Sequence, residues 1–465
     1  METGGPMLVA EKRVSFFDVI KQRQDRRAVM AVVPALTLGI MGGAVLPVSW
    51  AFSVTGIICG LLIMVVVALA NAYTCDLLLK QAYATQTYDY EGLCFKIGGR
   101  WWKLITEMSI VILLLGSIVG GTAQIGEVAT IGLTAINSSL PEWLAGNSGR
   151  FLMTLGIIVI VAPLCMCKQF RQLEYAGLVG FVIVVWLTLA VVIKSSQDNL
   201  PAVRNKSFPL LGFSSIGNIT QAVTIFGFAF YAQPIMMPFL LEVPDGLVGV
   251  KIVSYSTRIV ILINAFVIYF LIGFFGAAVY GRDTQENILE NEWLTGGVAQ
   301  GVLNLSMAVY LCLATPAMEF PTRHTINGWL PDKFMKNYPY GRHLIITTSI
   351  LTFGLGVALI FPSNSGNVLV VTGATGVCMV SYLIPIVNHF ALYTNSSKIQ
   401  KEAAEVIVTP GIEKTRARLS TYTGVPQGPG VGPKGKDFVK YLMIPSVVLA
   451  VGLFCSIAAL STLST

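Results

Sequence analysis

Residues 34–50 read PALTLGIMGGAVLPVSW. The stretch is apolar enough to lie in a bilayer, yet Gly39, Gly42 and Gly43 stand at its centre and Pro47 follows four residues later. Glycine lowers helix stability, and proline lacks a backbone donor. Freed backbone groups at bilayer depth persist only where protein buries them or a polar cavity receives them. The stretch has two readings. In one, the helix breaks around residues 39–43, and its exposed amides and carbonyls hold a ligand. In the other, it is a kinked helix packed closely through small residues.

The rest of the chain supplies the setting. Of 465 residues, 54% are hydrophobic and 12% charged, and the mean hydropathy is +0.71. A soluble domain carries about 25% charged residues, so the composition excludes an ordinary soluble protein and implies an all-α polytopic membrane protein. Apolar stretches of about 20 residues mark spans. Eleven are read at 31–54, 56–80, 103–131, 150–166, 173–194, 215–241, 257–281, 297–320, 343–362, 366–393 and 438–462.

Basic residues test this count. With residues 1–29 taken as a cytoplasmic tail, only Arg150, Lys194, Arg204, Lys206 and Arg282 of the 31 lysines and arginines fall on the far side. So strong a bias supports both the number of spans and an N-terminus in the cytoplasm. The C-terminus is then extracytoplasmic. The +7 net charge faces the cytoplasm and anionic lipid, and needs no nucleic-acid partner. The basic residues before the first span mark it as a retained signal anchor. Sequons at Asn137 and Asn205 fall outside, and Asn395 falls inside. Residues 394–437, rich in Pro and Gly in their second half, read as a cytoplasmic flexible loop before a lone eleventh helix at 438–462.

The sixth span, IGNITQAVTIFGFAFYAQPIMMPFLLEV, repeats the theme of the first: Gly227 interrupts it, and Pro234 and Pro238 follow. Residues 30–195 and 214–393 form two blocks of five spans. Five is odd, so the blocks are inverted relative to each other. Paired interrupted segments in two inverted halves point to a transporter site near the bilayer midplane, between the breaks.

Several segments resemble the amino acid/auxin permease family. GIMGGAVLP at 39–47 is similar to its GSGILGLP-type motif, and Tyr90-Glu91-Gly92-Leu93 with Gly98 to its YxxL…G pattern. Pro163-Leu164-Cys165 before Leu173 resembles PLC…L. Phe228-Ala229-Phe230 with Pro234, Pro238 and Glu242 is similar to FAFxCHP…PIYxEL. Asn287-Ile288-Leu289 matches NIL, Pro316, Pro321 and Arg323 resemble PxxxxPxR, and Gly373-Ala374 with Pro385 fits GA…LP. The resemblance implies a LeuT-type fold, five plus five inverted spans with one extra C-terminal helix. It also implies secondary transport of amino acids by alternating access, without covalent chemistry. A carrier of auxin-like or other small organic acids, and an amino-acid sensor on a transporter scaffold, are the alternatives.

The substrate site is expected at Gly39, Ile40, Met41, Gly42 and Gly43 in the first span and at Gly227, Phe228, Ala229, Phe230 and Gln233 in the sixth. Thr122 and Thr315 are candidate contributors of hydroxyls. Amides of the first break would face a carboxylate, and carbonyls near 227–230 would accept from an ammonium. The family's common histidine in the sixth span falls at Gln233. In its sodium-coupled branch an asparagine precedes the first break, where residues 36–38 here read Leu-Thr-Leu. Coupling is therefore expected to use H+ or no ion. Glu127 and Glu319 are the candidate proton carriers, since an intramembrane carboxylate is a functional hypothesis by default. Each has a plainer reading: Glu127 reaching interface water, Glu319 paired with Arg323 one turn away.

No metal cluster, cofactor motif or enzyme triad stands out. Cys165 and Cys167 read as ordinary thiols, and no extracellular disulfide is expected. The host membrane is expected to be the plasma membrane or an endomembrane such as vacuole or lysosome. The topology has a direct check: in a eukaryotic host, a glycan is expected on Asn137 or Asn205 and none on Asn395. A glycan mapped to Asn395 would reverse the orientation.

Overall fold

The computed structural model describes residues 23–463 apart from 138, 140, 142–146, 167–169, 212–214, 245, 332–334, 336, 361–364 and 393–438. Residues 1–22 of the tail, the 394–437 loop and Asn395 thus lie outside the described residues, and residues 23–29, read as tail, are the first turns of a helix. Among the described residues the chain is helical without strands. The first span comprises α1 (Arg23–Met41) and α2 (Val48–Thr55), inclined to each other by 55°. The second to fifth spans are α3 (Ile57–Thr85), α4 (Tyr90–Ile136), α5 (Asn147–Cys165) and α6 (Glu174–Gln197). The sixth comprises α7 (Ile216–Phe230), α8 (Gln233–Met236) and a tight turn at Met237–Leu241.

The seventh span comprises α9 (Leu247–Ile259), a wide π-turn at Val260–Ala265 and α10 (Phe266–Tyr280). Beyond it come α11 (Gly297–Trp329), α12 (Pro339–Ile360), and α13 (Ser365–Thr372) running into a second π-segment at Gly373–Leu383 and on to Leu392. The last is α14 (Ile444–Leu463). Among the described residues nine helices are long and apolar enough to cross a membrane, ten with the bent first span, and α5 contributes a shorter apolar helix.

Local chemistry sets the ends. The Asp89 side chain accepts from the Gly92 amide at 2.6 Å and caps α4, and Ser215 Oγ accepts from the Asn218 amide at 3.1 Å and caps α7. Such caps satisfy amides that the first turn leaves without a partner. In α4 the backbone kinks at Gly99, φ +75°, separating a nine-residue foot from the membrane-crossing part. Its apolar surroundings leave α4 mostly buried, packed along α11. Along that seam glycines let backbones touch, as small residues do in membranes. A methyl group on Gly297 would collide with the Ala135 carbonyl.

Charges inside the bundle are paired, as their desolvation demands. Asp76 on α3 accepts from Ser254 Oγ at 2.6 Å and from the Arg258 guanidinium, both on α9. Glu319 and Arg323 on α11 pair at 2.6 Å, and the same guanidinium nitrogen donates to the Cys165 carbonyl of α5 and to Thr347 Oγ1 of α12. Three helices of one face are thereby tied to a single ion pair.

Close packing at the first span yields a stability test. A side chain at Gly177 of α6 would collide with the Pro34 carbonyl of α1, whereas the space beside Gly121 is open. Gly177→Val is expected to destabilise by about 1–3 kcal/mol, the usual cost of overpacking. Melting in detergent should show it, with Gly121→Ala unchanged.

Candidate functional site

In both interrupted spans the break sits four residues before a proline. A proline's ring clashes with the carbonyl of residue i−4, and its missing N–H leaves that carbonyl free. For Pro47 that residue is Gly43; for Pro234 it is Phe230, the last residue of α7. The first break accordingly begins at Gly42, in a tight turn over Gly42–Val45, and not at Gly39. Gly42 has φ +36°, in the region that favours glycine. Gly39, Ile40 and Met41 are the last residues of α1. In the sixth span Gly227, Phe228, Ala229 and Phe230 are helical, and the interruption is at Tyr231 and Ala232. Gly227 does not interrupt the span; it faces Val377 and Tyr382 of the tenth.

The two breaks lie side by side. A methyl group on Gly39 would come within 2.9 Å of Ile235 and 3.2 Å of Ala317, so Gly39 is where the first span crosses the sixth and eighth. Behind Gly42 stands Met318, and behind Gly43 stand Gln124 of α4 and Leu311 of α11. Thr315 shares the α11 face of Leu311 and Met318, although its Oγ1 donates to Leu311 O at 3.0 Å. Thr122 belongs elsewhere: it is buried beside Gly354 of α12. Met41, Phe228 and Phe230 are all buried. The Phe228 ring lies 5.3 Å from Tyr231, and Phe230 meets Tyr269 edge-on at 5.2 Å.

Backbone groups released by the breaks find named partners. Met41 O and Ala229 O both accept from Tyr269 Oη, at 3.3 and 3.0 Å. Gly43 O accepts from Leu46 N at 3.3 Å and from Gln124 Nε2 at 3.4 Å. Leu46 O accepts from Ile288 N at 3.3 Å, so the Asn287-Ile288-Leu289 segment covers the first break from its outer end. The first-turn amides of α2 have no partner within their helix; Pro47 precedes them and contributes none, and its carbonyl accepts from Ala51 N at 3.1 Å.

Gln233 is fully buried. Its Oε1 accepts from the Ala232 amide at 3.0 Å and Ser381 Oγ at 2.7 Å; its Nε2 donates to Thr74 Oγ1 at 2.9 Å and Asn71 Oδ1 at 3.5 Å. Asn71 Nδ2 donates in turn to Tyr382 Oη at 2.8 Å. Every hydrogen-bonding position of this amide is used. Gln233 therefore fixes the sixth-span break to the second and tenth spans, and leaves no group for a ligand.

The two carboxylates separate. Glu319 is committed to the Arg323 pair, with Oε1 buried and unpartnered. Glu127 is half-buried on α4. Asn137 and Asn205 are exposed. Between the foot of α4, the second half of the sixth span and the basic end of α11 lies a cavity of about 270 Å³, lined by Tyr90, Glu91, Pro234, Met237, Phe320 and His324 among others. It is at the opposite end of the bundle from Ile288.

Five residues that shape the breaks, Asn71, Thr74, Gln124, Tyr269 and Ser381, were not among the sequence candidates. All are polar groups inside apolar runs, the one signal that marks them.

Comparison with known proteins places this geometry. Residues 26–411 match the family described as "Transmembrane amino acid transporter protein". The sodium-coupled neutral amino acid symporter 2 of Danio rerio is 24% identical over 401 residues, 80% of this chain and 77% of that protein. The solute carrier family 38 member 10 of Rattus norvegicus is 22% identical over 372 residues, covering 78% of this chain but only 33% of that protein. Among solved structures, MhsT in complex with L-phenylalanine superposes with a TM-score of 0.57 at 11% identity, covering 92% of this chain and 98% of that one. A manganese transporter mutant of Eremococcus coleocola superposes at 0.50 and 14% identity, covering 94% of each chain. The fold is of the LeuT type, and these relatives are transporters, not enzymes. The chain is a multi-pass integral membrane protein that belongs to the transmembrane amino acid transporter family.

Proposed function

We propose that the protein is a secondary active transporter of amino acids that works by alternating access. The observation that carries this is the pairing of two half-helix breaks at one point, with carbonyls at the ends of α1 and α7 drawn to one hydroxyl and α2 beginning beside them with amides that have no partner within their own helix. Helix C-termini favour a cation and helix N-termini an anion. A zwitterion has one of each, so its ammonium is directed to the carbonyl ends and its carboxylate to the start of α2. Gly42 and Gly43, without side chains, allow the close approach. The conformation supports inward release: the Leu46–Ile288 bond covers the outer end, and the 270 Å³ cavity opens at the end whose loops are basic.

Coupling is proposed to use H+ or no ion. The residues preceding the first break support this: they read Leu36-Thr37-Leu38, without a side-chain amide, and the Thr37 hydroxyl proton is donated to Val33 O at 2.8 Å. A second reading, sodium coupling, is favoured by the name of the Danio rerio relative. As proton carriers the two candidates are Glu127, half-buried on α4, and Glu319, paired with Arg323. The N-terminus is proposed to be cytoplasmic.

Uptake of labelled amino acids into proteoliposomes tests the whole reading. Uptake is expected, concentrative under a proton gradient if H+ is coupled and only equilibrating if no ion is; binding without flux would make the protein a sensor, and uptake of organic acids alone a carrier of those. Gly42→Leu should lower uptake by about tenfold or more while the protein still folds, because a side chain at φ +36° strains the turn and fills the site. Near-normal uptake in that variant would assign Gly42 to packing.

The coupling test is separate. Exchanging sodium for choline should leave wild-type uptake within about twofold, a difference of about 0.4 kcal/mol. Glu127→Gln should lose concentrative uptake yet keep substrate exchange, since glutamine cannot release a proton. Glu319→Gln should chiefly lower thermal stability, because it takes the charge from a buried pair. Strict sodium dependence would replace the proton reading with the second one.

A further inference from the structure

The C-terminal ends of α1 and α7 converge on one side chain. Tyr269 Oη lies 3.3 Å from Met41 O and 3.0 Å from Ala229 O. The residue is fully buried, and its ring is held edge-on by Phe230 at an interplanar angle of 81°. Two helix C-termini aimed at one point set partial negative charges against each other. At half-helix breaks such carbonyl ends hold a cation. Here the point between them is occupied by an O–H group.

The position of that hydroxyl is built into the seventh span. Asn264, within the π-turn at Val260–Ala265, donates to Thr37 Oγ1 at 3.2 Å. Thr37 and Met41 are four residues apart, one turn of α1. Asn264 and Tyr269 are five apart, across the junction where the π-turn ends at Ala265 and α10 begins at Phe266. The additional residue brings the two contacts into register.

We infer that Tyr269 is a positioning residue whose hydroxyl takes the place of a cation between the two half-helix ends. Its single proton is shared by the two carbonyls and stays on the oxygen. The carbonyl ends are thereby held together without a metal ion at that point, and the start of α2 is left for the substrate. The inference rests on the transporter reading for its link to uptake, but not for its geometry.

Tyr269→Phe removes one oxygen and its proton while keeping the ring. Two buried carbonyls then face each other across an oxygen-sized gap, which sodium or lithium fills. In choline medium the variant should lose about tenfold in uptake, equivalent to about 1.4 kcal/mol. Sodium should restore most of that loss, while wild-type uptake stays indifferent. Melting in detergent gives the same readout without transport: sodium, compared with choline, should stabilise the variant and not the wild type, since an ion that binds only the folded state raises its stability. A purely structural role would lower the melting point without making it depend on sodium.

A Tyr269→Phe protein with no sodium dependence in either assay overturns the inference. So does a wild type whose melting or uptake depends strictly on sodium, a result that remains available should the variant not fold. A wild type that moves no amino acid, but whose Tyr269→Phe variant is stabilised by sodium, would instead overturn the transporter reading and leave this one standing.

Discussion

A helix that stops inside a bilayer leaves carbonyls and amides that lipid cannot satisfy. This constraint organises the molecule. Two helices stop, and their free groups are answered from five directions: Gln124 of the third span, Asn71 and Thr74 of the second through Gln233, Tyr269 of the seventh, Ser381 of the tenth, and the Ile288 amide of an outer loop. The bundle around the breaks is largely the set of elements needed to carry these donors and acceptors. The first amides of α2 have no partner within their own helix, and in the transporter reading these are the groups a ligand uses.

The two wide-turn segments belong to the same economy of donors. One precedes Tyr269 in the seventh span, and the other, at Gly373–Leu383, carries Ser381 and Tyr382 to the sixth-span break. A π-turn widens the helix and shifts the register of the residues beyond it by one position. In both places the shift presents a hydroxyl to a broken span. The second block thus adjusts its own helices to serve the breaks, and the described part of the first block uses ordinary α-helix and side-chain amides.

Much of this was legible before any coordinates. Long apolar runs and the one-sided distribution of Lys and Arg gave eleven spans, and Pro and Gly in the first and sixth marked the breaks. The break positions were displaced because glycine was given more weight than proline. Gly39 and Gly227 both lie in continuous helix; at Gly39 the missing side chain lets Ile235 and Ala317 approach, while Gly227 makes no such close approach. Pro47 and Pro234 decide where the helix ends, through the carbonyl four residues earlier. The polar partners were harder to read. Tyr269 lies in FVIYFLIGFF and Asn71 in LANAYTC, and nothing local says which helix each will face. That is decided by tertiary packing, and for Tyr269 by a π-turn that hydropathy does not register.

The chemistry at Gln233 bears on coupling. In the family that this chain resembles, a histidine is common at the matching place. An imidazole has two nitrogens, and in either neutral tautomer one donates and the other accepts. Gln233 accepts twice and donates twice: from Ala232 and Ser381, to Thr74 and Asn71. No single imidazole makes that set of bonds, so the hydroxyls and amide around position 233 are arranged for a carboxamide. A carboxamide does not titrate in the physiological range. The sixth-span break is therefore held with the same strength at every pH at which the protein works, and proton dependence has to originate away from it. Glu319 spends its charge on Arg323, and that guanidinium also holds α5 and α12, so releasing it would loosen three elements together. Glu127 is half-buried on the helix that also brings Gln124 to the first break, so a change of charge there acts on a span in contact with the break that has to move.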